Sequence, residues 1–88
     1  MSWSIRVSST AEKYFKKLDK KLQRKIREKL QALCGQQNPL ENIQVRALTG
    51  ELKGFYRLRI GEYRIIFALL EEEKVIAVVN IVLRGNAY

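Results

Sequence analysis

Three arginines grouped around one glycine define the chemistry this chain could perform. In the stretch K-G-F-Y-R-L-R-I-G-E-Y-R-I-I-F, Lys53 to Phe67, arginine stands at positions 57, 59 and 64, and Gly61 falls between the last two. Glycine takes positive φ without steric cost, so Gly61-Glu62 reads as the centre of a tight hairpin turn. Strand side chains alternate between two faces, which sets Arg57 and Arg59 on one face and Tyr56, Leu58 and Ile60 on the other. If Tyr63, Ile65, Phe67 and Leu69 join that second, apolar face, Arg64 falls beside the other two arginines. Three guanidinium groups so placed repel one another unless something anionic lies among them. Arginine forks meet phosphate oxygens bidentately and stack on bases, and tyrosine rings stack as well. These are the parts of an RNA site. They could also support RNA cleavage, because a ribose 2′-hydroxyl is an internal nucleophile already beside its phosphate. The protein need only orient it, stabilise charge on the phosphoryl oxygens and handle two protons. Charge stabilisation is well supplied, and a proton-transfer group is not.

Each of these residues has a plainer reading. Arg57 and Arg59 could fill a polar, solvent-facing strand with no further role, and Arg64 could pair with Glu62 or Glu51. Tyr56 and Tyr63 fall on the apolar row and are read as core, and so is Trp3.

The elements that must position the arginines follow from periodicity. Trp3 to Val7 alternates as a first strand. Ser9 and Glu12 have capping-box spacing, and Ala11, Tyr14, Phe15 and Leu18 then recur as one face of an amphipathic helix. Asp19 can cap a second helix with the apolar row Leu22, Ile26, Leu30 and Leu33, stopped at Gly35 and left behind at Asn38-Pro39. Leu40 to Gly50 reads as a connecting loop. The central hairpin comes next, then a charged turn at Glu71-Glu72-Glu73 that discourages edge pairing. Lys74 to Leu83 closes the sheet as a strand apolar on both faces, hence central. By simple alternation Asn80 and Arg84 share the face of Ile76, Val78 and Val82, which could bring Arg84 to the arginine face. The expected fold is α+β, with two N-terminal helices packed on one face of a small, mainly antiparallel four-stranded sheet in the order β-α-α-β-β-β.

At 88 residues the chain is expected to be one domain, residues 1–88. Its 47% apolar and 30% charged content fits a folded soluble protein. The charge is the outlier: 17 Lys and Arg against 9 Asp and Glu give +8, with no histidine. Such an excess favours a polyanion or an acidic protein as partner, and Lys13 to Lys29 is especially basic. The lack of histidine excludes Ser-His-Asp and Cys-His catalysis. Cys34 is the only cysteine, so neither a disulfide framework nor a Cys/His metal site is expected, and no cofactor. No apolar run is long enough to span a bilayer, so no membrane partner is expected and the cytoplasm is the default compartment.

The run Y-R-L-R-I-G-E-Y-R-I-I-F, the preceding L-T-G-E-L-K-G and the closing L-R-G-N-A-Y resemble the RelE/ParE superfamily of toxin–antitoxin toxins. The likeness covers nearly the whole chain, and its most specific element is the G-[ED]-Y-R turn. Within the superfamily the chain is most similar to RelE-type ribosome-dependent mRNA endoribonucleases, which cleave mRNA in the ribosomal A site. The resemblance implies a toxin whose partners are the ribosome, mRNA and a cognate antitoxin, acidic and partly disordered. It implies catalytic roles for Arg64, Arg59, Arg84 and Tyr88, with Arg64 stabilising the transition state and Tyr88 stacking on a substrate base. It implies RNA binding by Arg57, Arg59 and Lys53. Two positions depart from the family pattern. Arginines stand where a lysine is often the proposed base, and a frequent C-terminal histidine is replaced near Leu83. Arginine keeps its proton to a pKa above ~12, so it binds phosphate well and abstracts protons poorly. Two other functions stay open: a ParE-type toxin that poisons DNA gyrase, and a catalytically weak RNA- or protein-binding module of the same fold.

Overall fold

In this computed structural model, which describes residues 3–83, the first strand, β1 (Ser4–Val7), delivers the chain directly into a helix cap. Ser8 is extended, at φ −67° and ψ 159°, and its hydroxyl oxygen accepts from the Ala11 amide at 3.1 Å. The cap therefore lies one residue before the expected Ser9. Glu12 consequently falls a residue too late for a capping box and instead approaches Lys16 at 3.5 Å. Helix α1 (Ser9–Lys16) ends in a short turn, and Asp19 caps α2 (Lys20–Cys34) as expected, its carboxylate accepting from the Leu22 amide at 2.8 Å. Gln23 fastens the turn between the helices by donating to the carbonyls of Phe15 and Leu18.

The sheet has five strands rather than four, in the order β1-β5-β4-β3-β2. The additional strand is β2 (Val45–Ala47), within the segment read as a loop. It pairs antiparallel with β3 (Tyr56–Ile60), which pairs with β4 (Tyr63–Leu70), which pairs with β5 (Val75–Leu83). At the far edge β1 lies parallel to β5. Both expected turns are present. Ile60 faces Tyr63 across Gly61-Glu62, with Gly61 at φ +57°, and Leu70 faces Val75 across the acidic turn, where Lys74 takes a positive φ.

One irregularity decides which side chains share a face. Across the middle of the β4–β5 ladder, Ile66 faces Asn80 while Phe67 faces Val78, so Val79 is an extra residue in β5. Such a bulge shifts the alternation by one. Ile76 and Val78 therefore point to the helices, whereas Asn80 and Val82 point away, and the expected common face for all four does not hold. The bulge is tied to the start of α1: the Ser8 amide donates to the Val78 carbonyl and the Ser8 hydroxyl donates to the Val79 carbonyl, each at 2.8 Å.

The core lies between the helices and the facing side of the sheet. Ala11, Ile26, Leu30 and Leu33 from the helices meet Leu58, Ile60, Ile65, Phe67, Ile76, Val78 and Ile81, all buried. Burying each of the larger side chains contributes roughly 1.5–3 kcal/mol. Trp3 joins this cluster, and Tyr14, Tyr56 and Tyr63 pack against it half-buried, with Tyr14 and Tyr63 edge to face at 6.5 Å. Cys34 also packs at its margin, where burial raises its thiol pKa and makes it a poor nucleophile.

Candidate nucleic-acid interface

The turn at Gly61 places the arginines. With only two residues in the turn, the register of β3 and β4 is set, and Arg59 stands directly opposite Arg64. Two residues back along β3, Arg57 faces Ile66, and so shares their side of the sheet. Leu58, Ile60, Ile65 and Phe67 point the other way into the core. The expected division of the hairpin into a core row and an arginine row holds.

The structure adds a fourth arginine to this face. Arg46 on β2 lies directly opposite Arg57. One row across the sheet therefore runs Arg46, Arg57, Ile66, Asn80, and the next runs Arg59, Arg64, Val82. Both rows contain two arginines directly across a strand pair, where opposed like charges are destabilising. Within each row the arginines are followed by apolar side chains that are themselves buried, Ile66 at 2% and Val82 at 8% exposure. Asn80 is held by its own backbone, its amide oxygen accepting from the Ile81 amide at 2.9 Å. Arg57 donates from Nη1 to the Gln44 carbonyl at 3.1 Å. Arg59 is exposed, whereas Arg57 and Arg64 are half-buried.

Lys53 lies outside the two strand rows. It is exposed in the turn between β2 and β3, at the opposite end of β3 from Gly61. Arg84 and Tyr88 lie outside the described residues. Arg46 does not stand out in the sequence, because its short segment resembles a loop. The signal that could have found it is the alternation of inward Val45 with outward Arg46.

The other side of the molecule is basic too. All nine lysines and arginines between Lys13 and Lys29 are exposed on the helical layer. Lys25 brings its ammonium near Gly61, so the helical charge reaches the tip of the arginine hairpin. Among the described residues no cluster of side chains suits a metal ion, and no helix is long and apolar enough to cross a membrane. Arginine pairs fixed on a sheet can bind the oxygens of a phosphodiester and hold charge that develops on them.

Known proteins share this architecture. RelE in its complex with RelB from Pyrococcus horikoshii superposes with a TM-score of 0.79 at 29% identity, covering 99% of this chain and all of that one. A chain of the YoeB–YefM complex from Staphylococcus aureus gives 0.72 at 26%, covering all of both chains. One from the RelBE2 toxin–antitoxin complex of Mycobacterium tuberculosis gives 0.80 at 20%, covering 96% of this chain and all of the other, a likeness of fold alone. No curated relative matches. The family model describing the ParE toxin of type II toxin–antitoxin systems matches residues 5–88. The chain therefore belongs to the ParE toxin family, within the RelE/ParE superfamily of type II toxin–antitoxin toxins.

Proposed function

We propose that this toxin is an endoribonuclease that cleaves mRNA in the ribosomal A site and so stops translation. The observation that carries the reading is the opposed Arg59–Arg64 pair beside the Gly61 turn. Two guanidinium groups held face to face can grip one phosphodiester from both sides, each as a bidentate fork. The likeness to RelE from Pyrococcus over the full chain supports the same reading.

Cleavage would be an internal transesterification. The 2′-oxygen bonds to phosphorus, the bond from phosphorus to the 5′-oxygen breaks, and a 2′,3′-cyclic phosphate and a 5′-hydroxyl result. The 2′-hydroxyl proton goes to solvent and the leaving oxygen takes one back. Arg64 and Arg59 neutralise charge on the non-bridging oxygens, and Arg57 holds the strand. Fixed donors of this kind act without reorganising as charge develops. The family resemblance adds Arg84 and Tyr88 to the residues expected to act, Tyr88 by stacking on the base. The exposed basic helices attract the ribosome's polyanionic surface, since phosphate contacts supply most sequence-independent affinity for nucleic acid. An acidic cognate antitoxin, ordering as it binds, would silence the toxin by covering the arginine face.

A second reading is favoured by the match to the ParE family model: a toxin of the same fold directed at DNA gyrase. Addition of the purified protein to a translating extract, with gyrase supercoiling assayed alongside, separates the two. The ribonuclease reading expects mRNA fragments with 2′,3′-cyclic phosphate ends and unaffected supercoiling. Intact mRNA with blocked supercoiling would establish the gyrase reading instead.

A further inference from the structure

Arg46 belongs to the exposed edge strand of the sheet, yet its guanidinium is not loose. Nη1 donates to the carbonyls of Ile43 at 3.1 Å and Val45 at 3.2 Å. Next to it, Arg57 donates from its own Nη1 to the carbonyl between those two, that of Gln44. Two guanidinium groups from neighbouring strands are thus fastened to three consecutive carbonyls of one backbone segment. Arginine has five N–H donors, and the two bonds of Arg46 occupy only its Nη1 end. The Nε–Nη2 edge, which is the edge that grips an oxyanion bidentately, is not used by them. The Arg46–Arg57 pair lies two residues, about 6.6 Å, along β3 from Arg59–Arg64 and one strand spacing to the side, so the two pairs are centred about 8 Å apart. Long arginine side chains at that separation can reach neighbouring phosphates of one strand.

We infer that Arg46 and Arg57 form a second phosphate subsite, which holds the phosphate next to the one gripped by Arg59 and Arg64. The inference rests on the RNA reading above and extends it: the face would take a dinucleotide step of backbone, not one isolated phosphate. Holding the neighbour fixes the direction and distance of the strand at the reacting position, which is how remote contacts contribute to orientation.

A plainer role for Arg46 is to cover the outward carbonyls of an edge strand. The two roles part in how binding depends on salt. The probe is a short single-stranded RNA with 2′-O-methyl riboses, which cannot be cleaved, bound to the full chain and followed by fluorescence anisotropy. One phosphate contact to a single strand contributes about 0.7 to the slope of log K against log salt, or roughly fivefold in affinity at 0.1 M salt. Arg46→Ala should lose that slope and that affinity with little change in melting temperature, and Arg46→Lys should keep the slope while losing part of the affinity. A series of oligonucleotides, each with one phosphate neutralised as a methylphosphonate, then locates the contact. At a single position wild type should lose about fivefold and Arg46→Ala nothing further. An unchanged slope in Arg46→Ala, or the same extra loss at every position, would overturn the subsite. If Arg59→Ala and Arg64→Ala weaken binding while Arg46→Ala does not, the subsite fails and the RNA reading stands. If neither of those variants weakens binding, the RNA reading fails and the subsite with it.

Discussion

The two faces of one hairpin have opposite thermodynamic characters. On the helix-facing side Leu58, Ile60, Ile65 and Phe67 are almost wholly removed from water and carry the stability of the fold. On the other side the hairpin sets Arg59 against Arg64, and the neighbouring strand β2 sets Arg46 against Arg57, so four cations share one face. Neighbouring residues in the chain are thus under contrary demands. The difference teaches that the arginine face is held in place by the core beneath it, which gathers cations at positions the turn and the strand register fix.

The largest effect should come from the core side. Phe67→Ala removes a fully buried ring and should cost about 3–5 kcal/mol, enough to unfold much of a small domain of ordinary stability. Denaturant titration followed by circular dichroism checks this, and a variant as stable as wild type would break the division of labour. On the arginine side, Arg64→Ala should lower cleavage by ~10²–10³ while leaving the unfolding midpoint near that of wild type. A comparable loss of stability in that variant would mean that Arg64 is structural.

The turn joins both faces and should respond in an intermediate way. A methyl group at Gly61 would meet only the flexible tip of Lys25, so crowding is not the obstacle; the φ of +57° is. An L-residue in the left-handed region costs about 1–2 kcal/mol, and Gly61→Ala should show that destabilisation together with reduced cleavage. Unaltered stability would show that the turn does not set the register. The smallest effect sharpens the comparison most. Arg59→Gln keeps a polar side chain at an exposed strand position, so its stability should stay within about 0.5 kcal/mol of wild type while its affinity for RNA falls and depends less on salt. A fall in melting temperature with unchanged RNA affinity would show that Arg59 is structural and not part of a phosphate site.

The hairpin was legible because its alternation is strict and one glycine marks the turn. The helices were legible because Asp19 and the row Leu22, Ile26, Leu30, Leu33 give both cap and periodicity. What was lost shares a physical cause: weak or ambiguous pattern. Strand β2 has three residues and only Val45 points inward, too little to stand out from a loop, and Arg46 was lost with it. In β5 nearly every residue from Val75 to Leu83 is apolar, so alternation carries no information about faces. The bulge at Val79 is fixed by a tertiary contact, the Ser8 hydroxyl on its carbonyl, which no local pattern announces. Ser8 and Ser9 are adjacent equivalents, and the pull of β5 on Ser8 decides between them.

The central claim is that the arginine face cleaves RNA by stabilising charge and not by moving protons. Single-turnover cleavage of mRNA on programmed ribosomes, measured from pH 6 to 8 for wild type and Arg64→Ala, tests it most directly. The chain has no histidine, and no other side-chain type titrates in that range at its unperturbed pKa. The rate should therefore rise gradually with pH as the 2′-hydroxyl deprotonates more readily, and Arg64→Ala should lower the whole curve by ~10²–10³ without changing its shape. A bell-shaped profile centred near neutrality, or an Arg64→Ala variant that cleaves as fast as wild type, would contradict the account.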